Sequence, residues 1–266
     1  MVSRVPRDVP ALVTGASSGI GAEFARQLAA RGHAVTLVAR REEHLERLAA
    51  EVREAHGVAA GVLVADLRTA RGRDSVVAVL SGRAPWLLIN NAGYGGRGAL
   101  AELDAAREQA EVQVNVVAVH QLSLAALPGL IAEKGGGIVN VASTAAFQPL
   151  PYMATYAATK AFVLAFTEAM AEELHGTGAR AMALCPGPVQ TEFHSIAGTA
   201  ESTYERLSKP TSMTAQQCVA DALRAFDRGA AVCIPGVLNH ALTAGPRFAP
   251  RFVVRKVVGR IFQPAE

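Results

Sequence analysis

Cysteine is scarce: the 266 residues contain three, Cys185, Cys218 and Cys233, far apart and without a C-x-x-C pair. That spacing argues against a disulfide framework or a cysteine-rich zinc site, and no metal site is expected; a reducing cytosol suits it. No block of five or more like charges occurs and the net charge is only +3, so neither a nucleic-acid-binding tail nor a nonspecific polyanion surface is expected. A signal peptide is not expected either, because Arg4, Arg7 and Asp8 precede an apolar run that stops at once in Thr14 to Gly19. One stretch free of Asp, Glu, Lys and Arg, Val112 to Ala132, approaches the length of a membrane span but is interrupted by Gln113, Asn115, His120, Gln121, Ser123 and Pro128. It reads as a buried helix rather than a membrane span. Internal repeats, low-complexity tracts and linkers are missing too.

What is present is ample core material: 50% of residues are hydrophobic, 18% are charged, and Gly and Pro number 24 and 13. Length and composition suit one domain over 1–266. Short β-rich runs alternate with helical ones. The strands are expected at Ala11–Thr14, Ala34–Ala39, Val62–Ala65, Trp86–Asn90, Gly137–Ala142, Ala179–Leu184 and Ala231–Ile234. Helices are expected at Ile20–Arg31, Glu42–His56, Arg71–Leu80, Ala105–Glu133, Tyr152–His175 and Ala215–Asp227. Several strands are nearly continuous apolar runs, as when helices cover both faces. The expected fold is α/β: a single doubly wound Rossmann-type domain with a seven-stranded, mainly parallel sheet flanked by helices.

Directly after the first strand comes Thr14-Gly15-Ala16-Ser17-Ser18-Gly19-Ile20-Gly21, opening a helix. Glycines there let the backbone approach a pyrophosphate, and the helix N-terminus offers unpaired N–H donors. The same turn also serves simply to seat a helix closely on a strand. The second strand ends Ala39-Arg40-Arg41, without the carboxylate that reads the ribose 2′-hydroxyl of NAD. Arg40 can instead pair with a 2′-phosphate, so NADP(H) is favoured over NAD(H); two solvated arginines beginning a helix are the alternative.

Six ordered motifs resemble those of the single-domain short-chain dehydrogenases/reductases: the Thr14 to Gly21 turn, Asp66, Asn90-Asn91-Ala92-Gly93, Asn115, Ser143 with Tyr156-Ala157-Ala158-Thr159-Lys160, and Pro186-Gly187-Pro188-Val189-Gln190-Thr191. Tyr156 and Lys160 lie four apart, so on a helix they share one face. A phenol ionises near pH 10. The ammonium and an oxidised nicotinamide ring favour the phenolate, and a shift of about three units needs roughly 4 kcal/mol. Tyr156 is then a usable general acid/base. The resemblance implies the other roles: Ser143 holds the carbonyl or hydroxyl oxygen, Lys160 also holds the nicotinamide ribose, and Asn115 fixes a water in a proton relay. It places Gly15, Ser17, Ser18, Gly19, Ile20, Gly21, Arg40 and Arg41 around the adenosine and phosphates, and Asp66 and Leu67 near the adenine. Asn90, Ala92 and Gly93 are placed along the cofactor, and Pro186, Gly187, Val189 and Thr191 near the carboxamide. Singly, Ser143, Asn115 and Asp66 also serve as caps or as partners of buried backbone.

Substrate contacts are expected from Tyr94–Arg97, Ala145–Met153 and the long Glu192–Met213 segment. No cluster of Arg or Lys lies there, cations such as Arg97 and Lys209 being scattered, and Phe147, Leu150, Tyr152 and Met153 form an apolar wall, which also suits a subunit interface. The expected activity is interconversion of a ketone and a secondary alcohol, reducing an apolar or lipid-like (3-oxoacyl or steroid-like) carbonyl. The tail is basic and amphipathic, with Val254, Val257, Val258 and Ile261 expected on one helical face and Arg251, Arg255, Lys256 and Arg260 largely elsewhere. It is expected to dock on its own domain or a partner subunit, with peripheral membrane contact through 246–262 as the alternative. The resemblance further implies a homodimer or homotetramer, and a cytoplasmic location is expected from the cysteine usage; an NADP-binding regulatory or scaffold protein is the competing reading.

Overall fold

Runs such as Leu12-Val13 and Leu87-Leu88-Ile89 put apolar side chains on both faces of a strand, so each face needs its own layer of helices. The computed structural model, which describes residues 9–81, 86–192, 212–245 and 249–263, has that arrangement. Its strands are β1 (Ala11–Thr14), β2 (Val35–Ala39), β3 (Ala60–Val64), β4 (Leu87–Asn90), β5 (Gly137–Val141), β6 (Ala181–Leu184), β7 (Val189–Gln190), β8 (Met213–Thr214) and β9 (Val232–Cys233). The helices are α1 (Gly19–Ala30), α2 (Glu42–His56), α3 (Ala70–Ser81), α4 (Ala105–Val112), α5 (Val119–Ala132), α6 (Ala154–Glu173), α7 (Ala215–Asp227), α8 (Val237–Ala244) and α9 (Arg251–Phe262).

Seven strands form one sheet in the order β3-β2-β1-β4-β5-β6-β9, and every pairing in it is parallel. On one face Val13, Leu37, Ile89 and Met182 meet Phe24 and Leu28 of α1, Leu45 of α2 and Phe226 of α7. On the other, Leu12, Val38, Leu88 and Ile138 meet Val76 of α3, Leu122 and Leu130 of α5, and Met170 of α6. The strand order reverses between β1 and β4, which opens a crevice at the carboxyl ends of the strands where ligands bind in such sheets.

Three expectations shift. The third strand begins two residues earlier than its apolar run, because pairing from Val35↔Ala60 to Ala39↔Val64 sets it; as an edge strand it leaves Val64 exposed. The long helix Ala105–Glu133 runs as α4, a π-helical turn at Gln113–Ala118, and α5. Ala105–Ala132 is long and apolar enough to cross a membrane, but α5 buries Leu122, Ala126 and Leu130 against the sheet. In α9 the buried face is Val254, Val258 and Phe262, spaced four apart. Val257 lies off that stripe and is exposed. This buried face packs on Ala145, Leu150, Met153, Tyr156 and Ala157 of its own domain. Most of the expected Glu192–Met213 loop, including Lys209, and Arg247 lie outside the described residues.

Candidate active site

The end of β1 turns on Gly15, whose φ of +66° is left-handed. Thr14 holds the neighbouring crossover: its Oγ1 accepts N–H groups from Asn91 and Ala92, each at 3.0 Å. Ser17, Ser18, Gly19 and Ile20 line a cleft of about 1060 Å³ at the strand ends. At the start of α1 the N-cap residue Ser18 makes no side-chain capping bond and no acidic residue occupies the first turn. No carboxylate of α1 itself meets the helix positive end, and Glu192 from across the cleft bonds Ser18; the backbone N–H groups of this turn suit an anionic group such as a pyrophosphate.

The two arginines after β2 have different surroundings. Arg41 donates to Ser17 Oγ at 3.1 Å and pairs with Glu192 Oε2 at 3.1 Å. Arg40 is exposed on the cleft rim and makes no hydrogen bond or ion pair among the described residues. Beyond β3, Asp66 lines the cleft and is gripped by Arg68, whose Nη2 lies 2.6 Å from Oδ2. Arg68, helped more weakly by Arg40, holds the Asp66 carboxyl below the usual carboxylate range. Leu67 lines the same wall.

After β4, Ala92 and Gly93 line the cleft, whereas Asn90 does not. Asn90 is buried beneath it, donating from Nδ2 to Asn140 Oδ1 at 2.9 Å and to Ser123 Oγ at 3.2 Å. It braces β4 against β5 and α5. Asn91, one residue on, is the cleft residue, with Nδ2 donating to Thr14 O at 2.9 Å. Gly21 is likewise off the cleft wall and serves the turn from behind. The carbonyl of Gly15 stands 2.3 Å from where a Cβ on Gly21 would lie.

Ser143 follows β5 and caps a short 3-10 turn, its Oγ accepting the Ala145 N–H at 3.1 Å. Capping and cleft exposure coexist, because Ser143 also lines the wall beside Tyr156 and Lys160. Tyr156 and Lys160 sit on the first turns of α6 with Nζ 5.8 Å from the phenol ring centroid. Lys160 donates to Val141 O at 2.8 Å. Burial pulls its ammonium down to about 8, against the opposing field of Glu111. Asn115, in the π-helical turn, ties the backbone of Tyr94 at both ends: Nδ2 donates to Tyr94 O at 2.9 Å, and Oδ1 accepts Tyr94 N–H at 3.2 Å. Nδ2 also reaches Thr159 Oγ1 at 3.1 Å. Pro186, Gly187, Val189 and Thr191 complete the rim.

Several side chains here have places that the sequence reading did not assign to them. Leu242 of α8 and Val258, Ile261 and Phe262 of α9 line the cleft, so the C-terminal helices cover part of it. Arg97, expected as a substrate-side cation, instead donates to the carbonyls of Phe262 at 3.0 Å and Gln263 at 2.9 Å. It caps α9, where a cation suits the negative helix end. Glu111 is buried four residues before Asn115; its only trace in sequence was a carboxylate immediately before the charge-free stretch. Among the described residues no group of three or more His, Cys, Asp or Glu converges as a metal site.

A glycine turn at the switch point of a doubly wound sheet, facing a tyrosine and a buried lysine across one cleft, defines a nicotinamide-dependent oxidoreductase site. The short chain dehydrogenase family profile matches residues 10–201, and the chain belongs to that family. It is 32% identical over 192 residues to the very-long-chain 3-oxoacyl-CoA reductase of Anas platyrhynchos, covering 70% of this chain and 61% of that protein. The chain thus spans somewhat less than two thirds of that relative's length. The structure of a short-chain dehydrogenase from Sphingobium yanoikuyae in complex with NADPH superposes with a TM-score of 0.80 at 34% identity, over 91% of this chain and 97% of that one. The bulky-bulky ketone specific alcohol dehydrogenase from Comamonas testosteroni gives 0.77 at 31% identity, over 92% and 100%.

Proposed function

We propose that this chain, as one domain over 1–266, is an NADP(H)-dependent reductase that converts a bulky apolar ketone, 3-oxoacyl or steroid-like, to its secondary alcohol. The observation that carries the reading is the meeting of Ser143, Tyr156 and Lys160 on one cleft that Leu242, Val258 and Phe262 cover with apolar surface. When bound, the dinucleotide supplies the hydride. Ser143 Oγ already accepts from Ala145, which leaves its hydroxyl hydrogen to donate to the substrate carbonyl oxygen. Tyr156 gives its phenolic proton to that oxygen as it becomes an alkoxide. The Lys160 ammonium beside it favours the phenolate left behind. One lone pair of Asn115 Oδ1 takes the Tyr94 N–H; the other is available to fix the water of a proton relay.

The preference for NADP(H) rests on Arg40, since the Arg41 charge is already met by Glu192. The test is purified protein with NADPH or NADH and ketones from small to long-chain and polycyclic, followed at 340 nm. NADPH oxidation with the bulky apolar members is expected. Arg40→Asp is expected to lower the NADPH/NADH preference about 10- to 100-fold, the worth of one hydrogen bond to a charged group. An unchanged ratio would remove the 2′-phosphate account, and no turnover with any ketone would remove the activity.

We also propose that the protein is cytoplasmic and meets anionic membranes through α8 and α9. Val237, Leu238, Leu242, Phe252, Val253 and Val257 are exposed there, interleaved with exposed Arg251, Arg255, Lys256 and Arg260. The sequence from Arg228 to Ala265 contains no Asp or Glu. Such a surface suits anionic headgroups over a hydrocarbon edge, and it adjoins the apolar side of the cleft. Sedimentation with vesicles containing phosphatidylglycerol, and not with phosphatidylcholine alone, is expected. At about 1 kcal/mol per basic residue, Arg255→Glu with Lys256→Glu should weaken partitioning at least about 30-fold. Equal binding to both vesicle types, or none, would sink the proposal. A homodimer or homotetramer through α5 and α6 is part of the same reading, supported by exposed Leu124, Ile131 and Phe162.

A further inference from the structure

Glu111 is an expensive residue where it stands. It is 0% exposed, and its Oε2 accepts the Gly96 N–H at 3.1 Å. Its Oε1 has no hydrogen-bond partner, and the carboxyl has no ion pair among the described residues. A buried carboxylate half satisfied by one amide costs free energy that a leucine at the same place would not. The charged and titratable groups around it are Arg107 and Glu108 on its own helix, Tyr94 on the adjoining loop and Lys160 on α6. Burial, reinforced by Glu108, raises the Glu111 carboxyl to about 7.

The loop that Glu111 grips lies on the reacting tyrosine. Asn115 holds Tyr94 at both backbone atoms, and Arg97 is fastened to the end of α9. Between them Gly95 presses on the phenol: a Cβ there would stand 2.8 Å from the ring. Gly96, the next residue, is tied by its N–H to Glu111. We propose that Glu111 is a positioning residue for the reaction: through Gly96 it clamps the Tyr94–Gly98 loop onto the Tyr156 ring, and it sets a buried negative charge in the surroundings of Lys160. The inference rests on the reading of Tyr156 and Lys160 as the reacting pair.

Ketone reduction needs Lys160 as the ammonium, so turnover falls as pH rises through the Lys160 transition. Below about 7 Glu111 carries its proton, and above it the carboxylate opposes proton loss from Lys160. Glutamine keeps the shape and the acceptor for Gly96 but carries no charge at any pH. Glu111→Gln should therefore match the wild type within about three-fold at pH 6. It should move the alkaline fall of kcat to lower pH, because the carboxylate that opposes proton loss from Lys160 is gone. Glu111→Leu removes the clamp as well as the charge, so it should lower kcat about ten-fold at pH 6 and show the same downward shift of the alkaline fall.

The experiment measures kcat and KM against pH for ketone reduction in the wild type, Glu111→Gln and Glu111→Leu. NADPH affinity by fluorescence is followed over the same range, where its alkaline loss should shift alongside. A downward shift in Glu111→Gln, in turnover and in affinity, supports the proposal; a profile superimposed on the wild type overturns it. Tyr156→Phe, run in parallel, separates the two claims: substantial turnover in that variant defeats the reading of the site itself. An inactive Tyr156→Phe with an unshifted Glu111→Gln defeats only the role of Glu111.

Discussion

Tyr156→Phe lowers kcat for ketone reduction by about 10²- to 10⁴-fold, the usual share of a positioned general acid. The corresponding rise in barrier is roughly 3–5.5 kcal/mol at 1.36 kcal/mol per decade. The variant keeps its fold, because the ring and not the hydroxyl does the packing: Tyr156 belongs to an apolar cluster with Ala157, Met153, Val254 and Phe262. Gly95 bears on the same ring, which phenylalanine retains. NADPH affinity by fluorescence titration should stay within about three-fold, since Lys160 and the α1 N-terminus are untouched. Loss of turnover with binding intact assigns the hydroxyl to the chemistry. Turnover within ten-fold of the wild type would leave the proton to come from elsewhere.

Gly21→Ala should do the reverse, damaging the cofactor site and stability while leaving Ser143, Tyr156 and Lys160 in place. A methyl at position 21 would lie 2.3 Å from Gly15 O and 2.5 Å from Asn91 Nδ2. Both are fixed: Gly15 by its left-handed turn and Asn91 by its bond to Thr14 O. The relief available is for α1 to lift from the β1 turn, which moves the N–H donors of Ser18, Gly19 and Ile20 at the cleft. Overpacking of this kind costs about 1–3 kcal/mol. For a domain of this size that is a fall in Tm on the order of 5 °C. NADPH affinity is expected to drop at least about 30-fold. Calorimetry with a fluorescence titration checks both, and a variant with unchanged Tm and affinity would show that the turn has room the structure does not show.

How much of this was legible in advance follows from the range of each interaction. The sheet was readable because each strand must be apolar on both faces and each connecting helix on one, which are local patterns in the chain. The Tyr156 and Lys160 pairing was readable because an i, i+4 relation on a helix is fixed by helical pitch. Motif position also placed Asn90 on the cofactor path, and there the structure differs. Neighbouring residues of a strand point to opposite faces, and at the end of β4 Asn90 bonds inward to Asn140 and Ser123 while Asn91 meets the cleft.

By itself, then, the sequence determined the doubly wound fold, the glycine turn, the shared helical face of Tyr156 and Lys160, and the family, because these depend on short spacings and on strand order. Tertiary structure alone decided which arginine is uncommitted, since the partner of Arg41 is Glu192, 151 positions away in the chain. It alone showed α9 covering the cleft and Arg97 spent on its end, a contact across 165 positions. The burial of Glu111 beside the Tyr94–Gly98 loop belongs with these. A buried charge is recognised by what surrounds it, and its surroundings come from a loop and a helix that only folding brings together.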